Sequence, residues 1–153
     1  MVISESAIND NSAGTHGGGI QNMADMTLVS STVNGNAEGG IDNYGLLTVR
    51  GSMVAGNSMY FEGGGISNGG TLVLTSSTVS GNTAMLRGGG IANAGSVTLR
   101  SSVVTQNTAV LGLPDDDPSV LLFGGGIFNY PTGAVTLRRS SVSGNTPDDC
   151  VGC

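Results

Sequence analysis

Short stretches of alternating apolar and polar residues recur along this chain and predict β-strands. One such stretch, Leu72-Val73-Leu74, returns as Val97-Thr98-Leu99 and as Val135-Thr136-Leu137. A second type of stretch places one apolar residue after hydroxyl-bearing ones, as in Ser77-Thr78-Val79. A period of two is typical of strands, and the Gly and Asn residues between the stretches are typical of turns. Because no segment has a helical period, we predict an all-β protein.

The motif Gly-Gly-Ile-x-Asn opens a tandem repeat that occurs five times. Its isoleucines are 21, 25, 25 and 36 residues apart. A tandem period of this length predicts a solenoid, in which each unit forms one coil and stacks on the next. We therefore predict a parallel β-helix of about six coils with three short strands in each coil. The copies of the motif are residues 18–22, 39–43, 64–68, 89–93 and 125–129.

Stacked coils place equivalent residues about 4.8 Å apart, so the repeat predicts continuous columns of side chains. Inward columns of Ile, Leu and Val fill a narrow core without voids. Stacked asparagines exchange amide hydrogen bonds with the coils above and below while they close turns. The first predicted ladder contains Asn22, Asn43, Asn68, Asn93 and Asn129. The second predicted ladder contains Asn36, Asn57, Asn82, Asn107 and Asn145.

The whole chain, residues 1–153, is predicted to be one domain. The connection that leads to each pair of glycines varies in length, and the longest, residues 108–123, is predicted to be an inserted loop. At the chain start, Ile3 and Ile8 match inward columns part-way through a coil. A solenoid normally carries a polar cap. We therefore expect either a fragment of a longer protein or a subunit whose open end meets a partner.

The composition restricts the possible partners. The chain has five Lys and Arg residues against eleven Asp and Glu residues, a net charge of −6 and no lysine. This acidic balance disfavours nucleic acid as a partner, because few side chains could neutralise phosphates. No apolar run is long enough for a transmembrane segment. We therefore predict no nucleic-acid partner and no transmembrane segment.

The repeat written GGGIxNxGxLTLxxSTVSGNTA resembles the right-handed parallel β-helix repeats of bacterial extracellular and cell-surface proteins. It is similar to the glycine-rich units of polymorphic outer-membrane proteins and autotransporter passengers. The resemblance covers nearly the whole chain and implies a right-handed coil, as does the usual hand of parallel crossovers. It also implies an extracellular or cell-surface location in bacteria. Proteins of this type include adhesins, passenger domains and polysaccharide-degrading enzymes, so the resemblance specifies the fold better than the activity.

An enzyme of this fold would resemble pectate lyases or polygalacturonases, which need several carboxylates that converge on one groove. The acidic residues Asp25, Glu38, Asp42 and Glu62 fall in different predicted columns, and His16 is the only histidine. We therefore predict a non-catalytic protein without a cofactor.

Three adjacent acids, Asp115, Asp116 and Asp117, are a candidate Ca²⁺ site. Adjacent carboxylates do not all face one ion, so we prefer to interpret them as a solvated loop tip.

Two outward columns carry polar residues that suggest ligands. Arg50, Arg100 and Arg138 share a column that Thr75 interrupts, and such a stripe suits an acidic glycan or surface solubility. A neighbouring column contains Thr27, Thr48, Thr98 and Thr136. Aligned threonines suggest ice binding as a minor alternative, although Val73 breaks the rank and the arginine column lies beside it.

The aromatic residues Tyr44, Phe128 and Tyr130 are candidate sugar-stacking platforms. They define the main alternative function, a carbohydrate-active or carbohydrate-binding β-helix similar to polysaccharide lyases.

The variable connections leave the same corner of the coil and carry apolar residues, which we call the loop ridge. Exposed apolar patches usually mark interaction surfaces, so the ridge is a candidate site for self-association or for a cell-surface or glycan partner. A long loop that folds back over the shorter ones is the competing interpretation. The predicted ridge residues are Met59, Tyr60, Phe61, Met85, Leu86, Leu111, Leu113, Leu121, Leu122 and Phe123.

The two cysteines, Cys150 and Cys153, predict a disulfide within or between chains, which favours an oxidising compartment. From these features together we predict a structural or adhesive protein, or a fragment of one, of the bacterial surface or extracellular space. Exposed strand edges at the open solenoid end predict that copies associate end to end.

Overall fold

The computed structural model describes residues 1–110 and 123–153, which form a parallel β-solenoid of about six coils. Every named strand pairs in parallel with the equivalent strand of at least one neighbouring coil. The repeating period of the sequence therefore becomes the coil of the fold, as predicted. The all-β class is confirmed.

Three main sheets and one short sheet run along the solenoid, with strands numbered in chain order. Sheet A contains β1 Val2–Ser4, β4 Asp25–Val29, β7 Leu46–Arg50, β11 Thr71–Thr75, β15 Ser96–Arg100 and β19 Ala134–Arg138. Sheet B contains β2 Ala7–Asn9, β5 Thr32–Asn34, β8 Met53–Ala55, β12 Thr78–Ser80, β16 Val103–Thr105 and β20 Ser141–Ser143. Sheet C contains β9 Ser58–Met59, β13 Thr83–Ala84 and β17 Thr108–Ala109. Sheet D contains β3 Ile20–Asn22, β6 Ile41–Asn43, β10 Ile66–Asn68, β14 Ile91–Asn93, β18 Ile127–Asn129 and β21 Cys150–Val151.

The three main sheets are the three strands that the repeat predicts. Sheet C is an addition, because its two-residue strands are too short to show an alternating pattern. The register keeps each predicted column intact, and Ile66 pairs with Ile41 on one side and Ile91 on the other. A single apolar core fills the interior, in which Leu72, Leu74 and their equivalents in the inner coils are fully buried. In the last coil Val135 is half-buried and Leu137 is 45% exposed. Ile3 and Ile8 pack against it from the first coil.

Both asparagine ladders are present and buried. In the first, each Asn Nδ2 donates to the Oδ1 atom of the next Asn at 2.7 Å. In the second, both the backbone N–H and Nδ2 of each Asn donate to the next Oδ1, as Asn82 does to Asn107 at 3.0 and 2.9 Å. The same Nδ2 atom donates to the carbonyl of Val54 at 3.1 Å. Each side chain therefore pairs with backbone and with the next coil, which satisfies buried polar atoms.

Candidate interaction surfaces

Corner loops between sheets C and D form the first candidate surface. Tyr60 and Phe61 are 56% and 50% exposed and meet edge to face with ring centroids 5.1 Å apart. Met85 and Leu86, on the next coil, are half-buried, as is Phe123. The exposed part of the loop ridge is therefore an aromatic pair with an apolar flank.

The predicted loop ridge is only partly exposed. Met59 is buried, because it pairs with Ala84 in sheet C and faces inward, so it supports the ridge from below and is not part of its exposed surface. A shallow pocket of about 250 Å³ lies beside the aromatic pair, lined by Glu38, Ser58, Met59, Tyr60, Thr83 and Met85. The remaining predicted ridge residues, Leu111, Leu113, Leu121 and Leu122, lie outside the described residues, as do Asp115, Asp116 and Asp117.

A polar and aromatic network holds the corner loops against sheet D. The Tyr130 hydroxyl donates to Glu62 Oε2, and Arg87 lies 3.9 Å from Glu62. The guanidinium of Arg87 also stacks 5.0 Å from the Phe128 ring centroid, and Phe128 meets Tyr130 edge to face at 4.8 Å. Burial of the phenol is the main cause that raises the pKa of Tyr130 to about 12, and its hydrogen bond to Glu62 is the second. Three coils are thereby joined at one corner.

This network corrects the prediction of three sugar-stacking platforms. Phe128 is only 5% exposed, since Arg87 and Tyr130 cover its ring. Tyr130 is half-buried and its hydroxyl is engaged with Glu62. Tyr44 remains exposed at 53%, so one of the three aromatic residues is free to stack on a ligand.

Asp42 is an acid whose burial the sequence did not predict. It lies on the outer side of sheet D, between Gln21 and Ser67 in register, and is 2% exposed. Within the described residues neither of its carboxylate oxygens accepts a hydrogen bond of normal length and angle, although the Tyr44 hydroxyl lies near it. Its charge, together with partial burial of the phenol, raises the pKa of Tyr44. A buried carboxylate without donors is an energetic cost that this fold carries.

The outward ranks of sheet A are those that the sequence predicts. Thr48 pairs in register with Thr27 and Val73, and Thr98 with Val73 and Thr136, so the threonine rank is interrupted once. The adjacent rank contains Val29, Arg50, Thr75, Arg100 and Arg138. Where sheet A turns into sheet B, a shallow pocket of about 330 Å³ is lined by Arg100, Ser101, Arg138 and Arg139.

The last residues of the chain close the second asparagine ladder. Asp149 Oδ1 accepts the backbone N–H of Asn145 at 2.9 Å and its Nδ2 at 3.0 Å, in the way that each Asn accepts from the coil before it. These hydrogen bonds lower the pKa of Asp149. Cys150 and Cys153 are joined in a disulfide around β21, which extends sheet D beyond β18.

Two further observations concern ligands and membranes. Residues 1–110 and 123–153 bring no three His, Cys, Asp or Glu side chains together in a way that could hold a metal ion. No helix in this part of the chain is long and apolar enough to cross a membrane.

The fold and the two ladders define the class of the protein, a parallel β-solenoid with stacked asparagines. Comparison with known proteins adds nothing to this class, because no protein-family model, no curated protein and no solved structure matches the chain.

Proposed function

We propose that this chain is a non-catalytic structural or adhesive β-solenoid of the bacterial surface or extracellular space. The observation that carries the proposal is the pair of asparagine ladders, which run from the first coil to Asn129 and Asn145. Buried, hydrogen-bonded side chains along a whole solenoid favour a stiff rod. A stiff rod holds its exposed ranks at fixed spacing, as an adhesive or structural surface requires.

The location rests on two further arguments. The repeat resembles those of bacterial surface proteins, and the Cys150–Cys153 disulfide is typical of oxidising compartments.

Self-association is the contact that we propose first, through the exposed part of the loop ridge. Tyr60 and Phe61 present two large apolar rings to solvent, and such pairs are preferred anchors in protein interfaces. End-to-end stacking is the second route, because β1 and β19 each have one edge without a partner strand among the described residues. At the β19 end the Asp149 carboxylate occupies the next position of the ladder, so another coil would have to displace it. The ridge is therefore the favoured contact.

The test compares the wild-type chain with a Tyr60→Ser, Phe61→Ser variant in light scattering over a range of concentrations. We expect association of the wild type and loss of association in the variant. The matched control is Leu46→Ser with Met53→Ser, which removes two exposed apolar side chains from sheets A and B. A wild type that stays monomeric at high concentration would contradict self-association. Release of reducing or unsaturated ends from acidic polysaccharides would contradict the non-catalytic assignment.

A further inference from the structure

Positive charge is concentrated on one edge of this acidic molecule. The chain has five cationic side chains, all arginines, against eleven acids. Three of them, Arg50, Arg100 and Arg138, occupy one rank of sheet A in register. A fourth, Arg139, follows directly at the turn toward sheet B. We call these four residues the arginine edge.

The arginine edge is exposed, and no carboxylate of the described residues forms an ion pair with it. All four side chains are solvent-exposed. In the described part of the chain one ion pair is present, and it joins Arg87 to Glu62 at the corner loops. Arg100 and Arg138 are direct register partners, so their Cα atoms lie about 4.8 Å apart. Like charges directly opposite each other on adjacent strands are destabilising. An anion bound between them would remove this repulsion.

The edge is also concave where the arginines are densest. The pocket of about 330 Å³ is surrounded by Arg100, Ser101, Arg138 and Arg139. Ser101 and Arg139 have φ values of 49° and 52°, a left-handed conformation that turns the chain sharply between sheets A and B. The turn sets Arg138 and Arg139 on two sides of one corner. Guanidinium groups in this arrangement suit carboxylates and sulfates, because two N–H groups of one guanidinium can donate to two oxygens of the same anion.

We propose that the arginine edge binds a linear acidic polysaccharide that lies along the solenoid axis. This inference rests on the proposed adhesive function and names its ligand class. Positions in the rank are one strand spacing apart, about 4.8 Å, so Arg100 and Arg138 are separated by one spacing and Arg50 and Arg100 by two. Charges at multiples of one spacing suit a ligand that repeats its own charges. Single-stranded nucleic acid is disfavoured, because its binding uses aromatic stacking platforms, and among the described residues the outward ranks beside the arginine edge carry Thr, Ser, Val and Met.

The gap at Thr75 provides a gain-of-binding test. Thr75→Arg would complete the rank between Arg50 and Arg100, whereas Thr71→Arg adds the same charge on the same strand, in a rank without arginines. The probes are polygalacturonate for carboxylates, dextran sulfate for sulfates and neutral dextran. We expect the wild type to bind one or both polyanions, with affinity falling as salt is added, and to ignore neutral dextran. Thr75→Arg should strengthen binding several-fold more than Thr71→Arg, because only the first adds a charge-assisted hydrogen bond along the rank.

The loss-of-binding arm uses Arg100→Ser with Arg138→Ser. We expect affinity to fall by about tenfold, with an unchanged or raised melting temperature because the like-charge contact is gone. Arg87→Ser is the single-charge control and should leave binding within about twofold. Equal gains from Thr71→Arg and Thr75→Arg would overturn the proposal, and so would no polyanion binding at low salt. Tighter binding of a single-stranded oligonucleotide with the same arginine dependence would also overturn it.

These outcomes separate the inference from the proposed function. Suppose that the chain cleaves polygalacturonate and that polyanion binding still depends on the arginines. That result would contradict the non-catalytic function but support polysaccharide binding by the arginine edge. A chain that associates through Tyr60 and Phe61 but binds no polyanion would contradict polysaccharide binding by the arginine edge and leave the proposed function intact.

Discussion

The Nδ2 atom of Asn82 lies 2.9 Å from the point where a Cβ atom on Gly65 would stand. The carbonyl oxygen of Gly90, on the next coil, lies 2.6 Å from the same point. A side chain at residue 65 therefore cannot fit unless the ladder or the backbone shifts. The second glycine of the repeat motif and the second asparagine ladder are two halves of one packing arrangement. The same pairing recurs for Gly40 with Asn57 and for Gly90 with Asn107.

Replacement of Gly65 by Ala tests this packing. We expect a loss of about 1–3 kcal/mol in the free energy of unfolding, as for overpacked cores, because the nearest atoms include backbone. Gly14→Ala is the control, since no described atom beyond its chain neighbours lies within 4 Å of the point where its Cβ atom would stand. That change should be neutral or stabilise by up to about 1 kcal/mol. Chemical denaturation measures both, and equal effects would contradict the packing argument.

Removal of one rung tests the ladder itself. Asn82→Ala removes two side-chain donor bonds, to Asn107 and Val54, and leaves the N–H and Nδ2 groups of Asn57 without their acceptor. Because the orphaned groups are buried, we expect a loss of about 3–5 kcal/mol in the free energy of unfolding, measured by chemical denaturation. Asn34→Ala makes the same chemical change on the outer face of sheet B and should cost no more than about 0.5 kcal/mol. A small loss at Asn82 would show that the ladder contributes little.

Asp42 should be replaceable with a gain in stability. Its buried carboxylate accepts no hydrogen bond of normal length and angle from the described residues, and Ser67 occupies the equivalent position one coil later. In chemical denaturation, Asp42→Ser should therefore raise the free energy of unfolding by about 1–2 kcal/mol. The same change at the exposed Asp25 should have little effect. Destabilisation by Asp42→Ser would reveal a partner for the carboxylate.

Acid should weaken the closure of the second ladder. Hydrogen bonds from Asn145 lower the pKa of Asp149 in the folded chain below its ordinary value of 3.8. A lowered folded pKa contributes stability that is present above pH 3.8 and disappears as the pH falls through the folded pKa. We therefore expect wild type and Asp149→Asn to differ in melting temperature at neutral pH and to converge at strongly acidic pH. Asp25→Asn is the charge-matched control, and a pH-independent difference would contradict this assignment.

Much of the fold was predictable because short periodic patterns in the sequence specify it. The alternation around Leu72 and Leu74 gives strands, the spacing of the isoleucines gives the coil, and equal spacing makes the asparagines stack. Sheet C was missed because Thr83–Ala84 offers only two residues to a pattern that needs more. Handedness stays a prediction from the resemblance and from the rule for parallel crossovers.

The candidate surfaces were predicted less completely. The arginine rank followed from register alone, since residues at one repeat position must share a column. Exposure did not follow: Met59 and Phe128 are apolar residues near loops, and contacts with other coils bury both. The Tyr130–Glu62 bond joins residues 68 positions apart, a separation that no repeat specifies.

The sequence by itself therefore determined what repeats: the parallel coils, the inward columns, the two ladders and the arginine rank. Regular spacing is enough for these because each coil contacts its neighbours at equivalent positions. Only the tertiary structure decided what departs from the repeat. It closed the second ladder with Asp149, buried Asp42 without a donor among the described residues and assembled the corner network around Tyr130. Those features depend on contacts between non-equivalent residues, which no period in the sequence encodes.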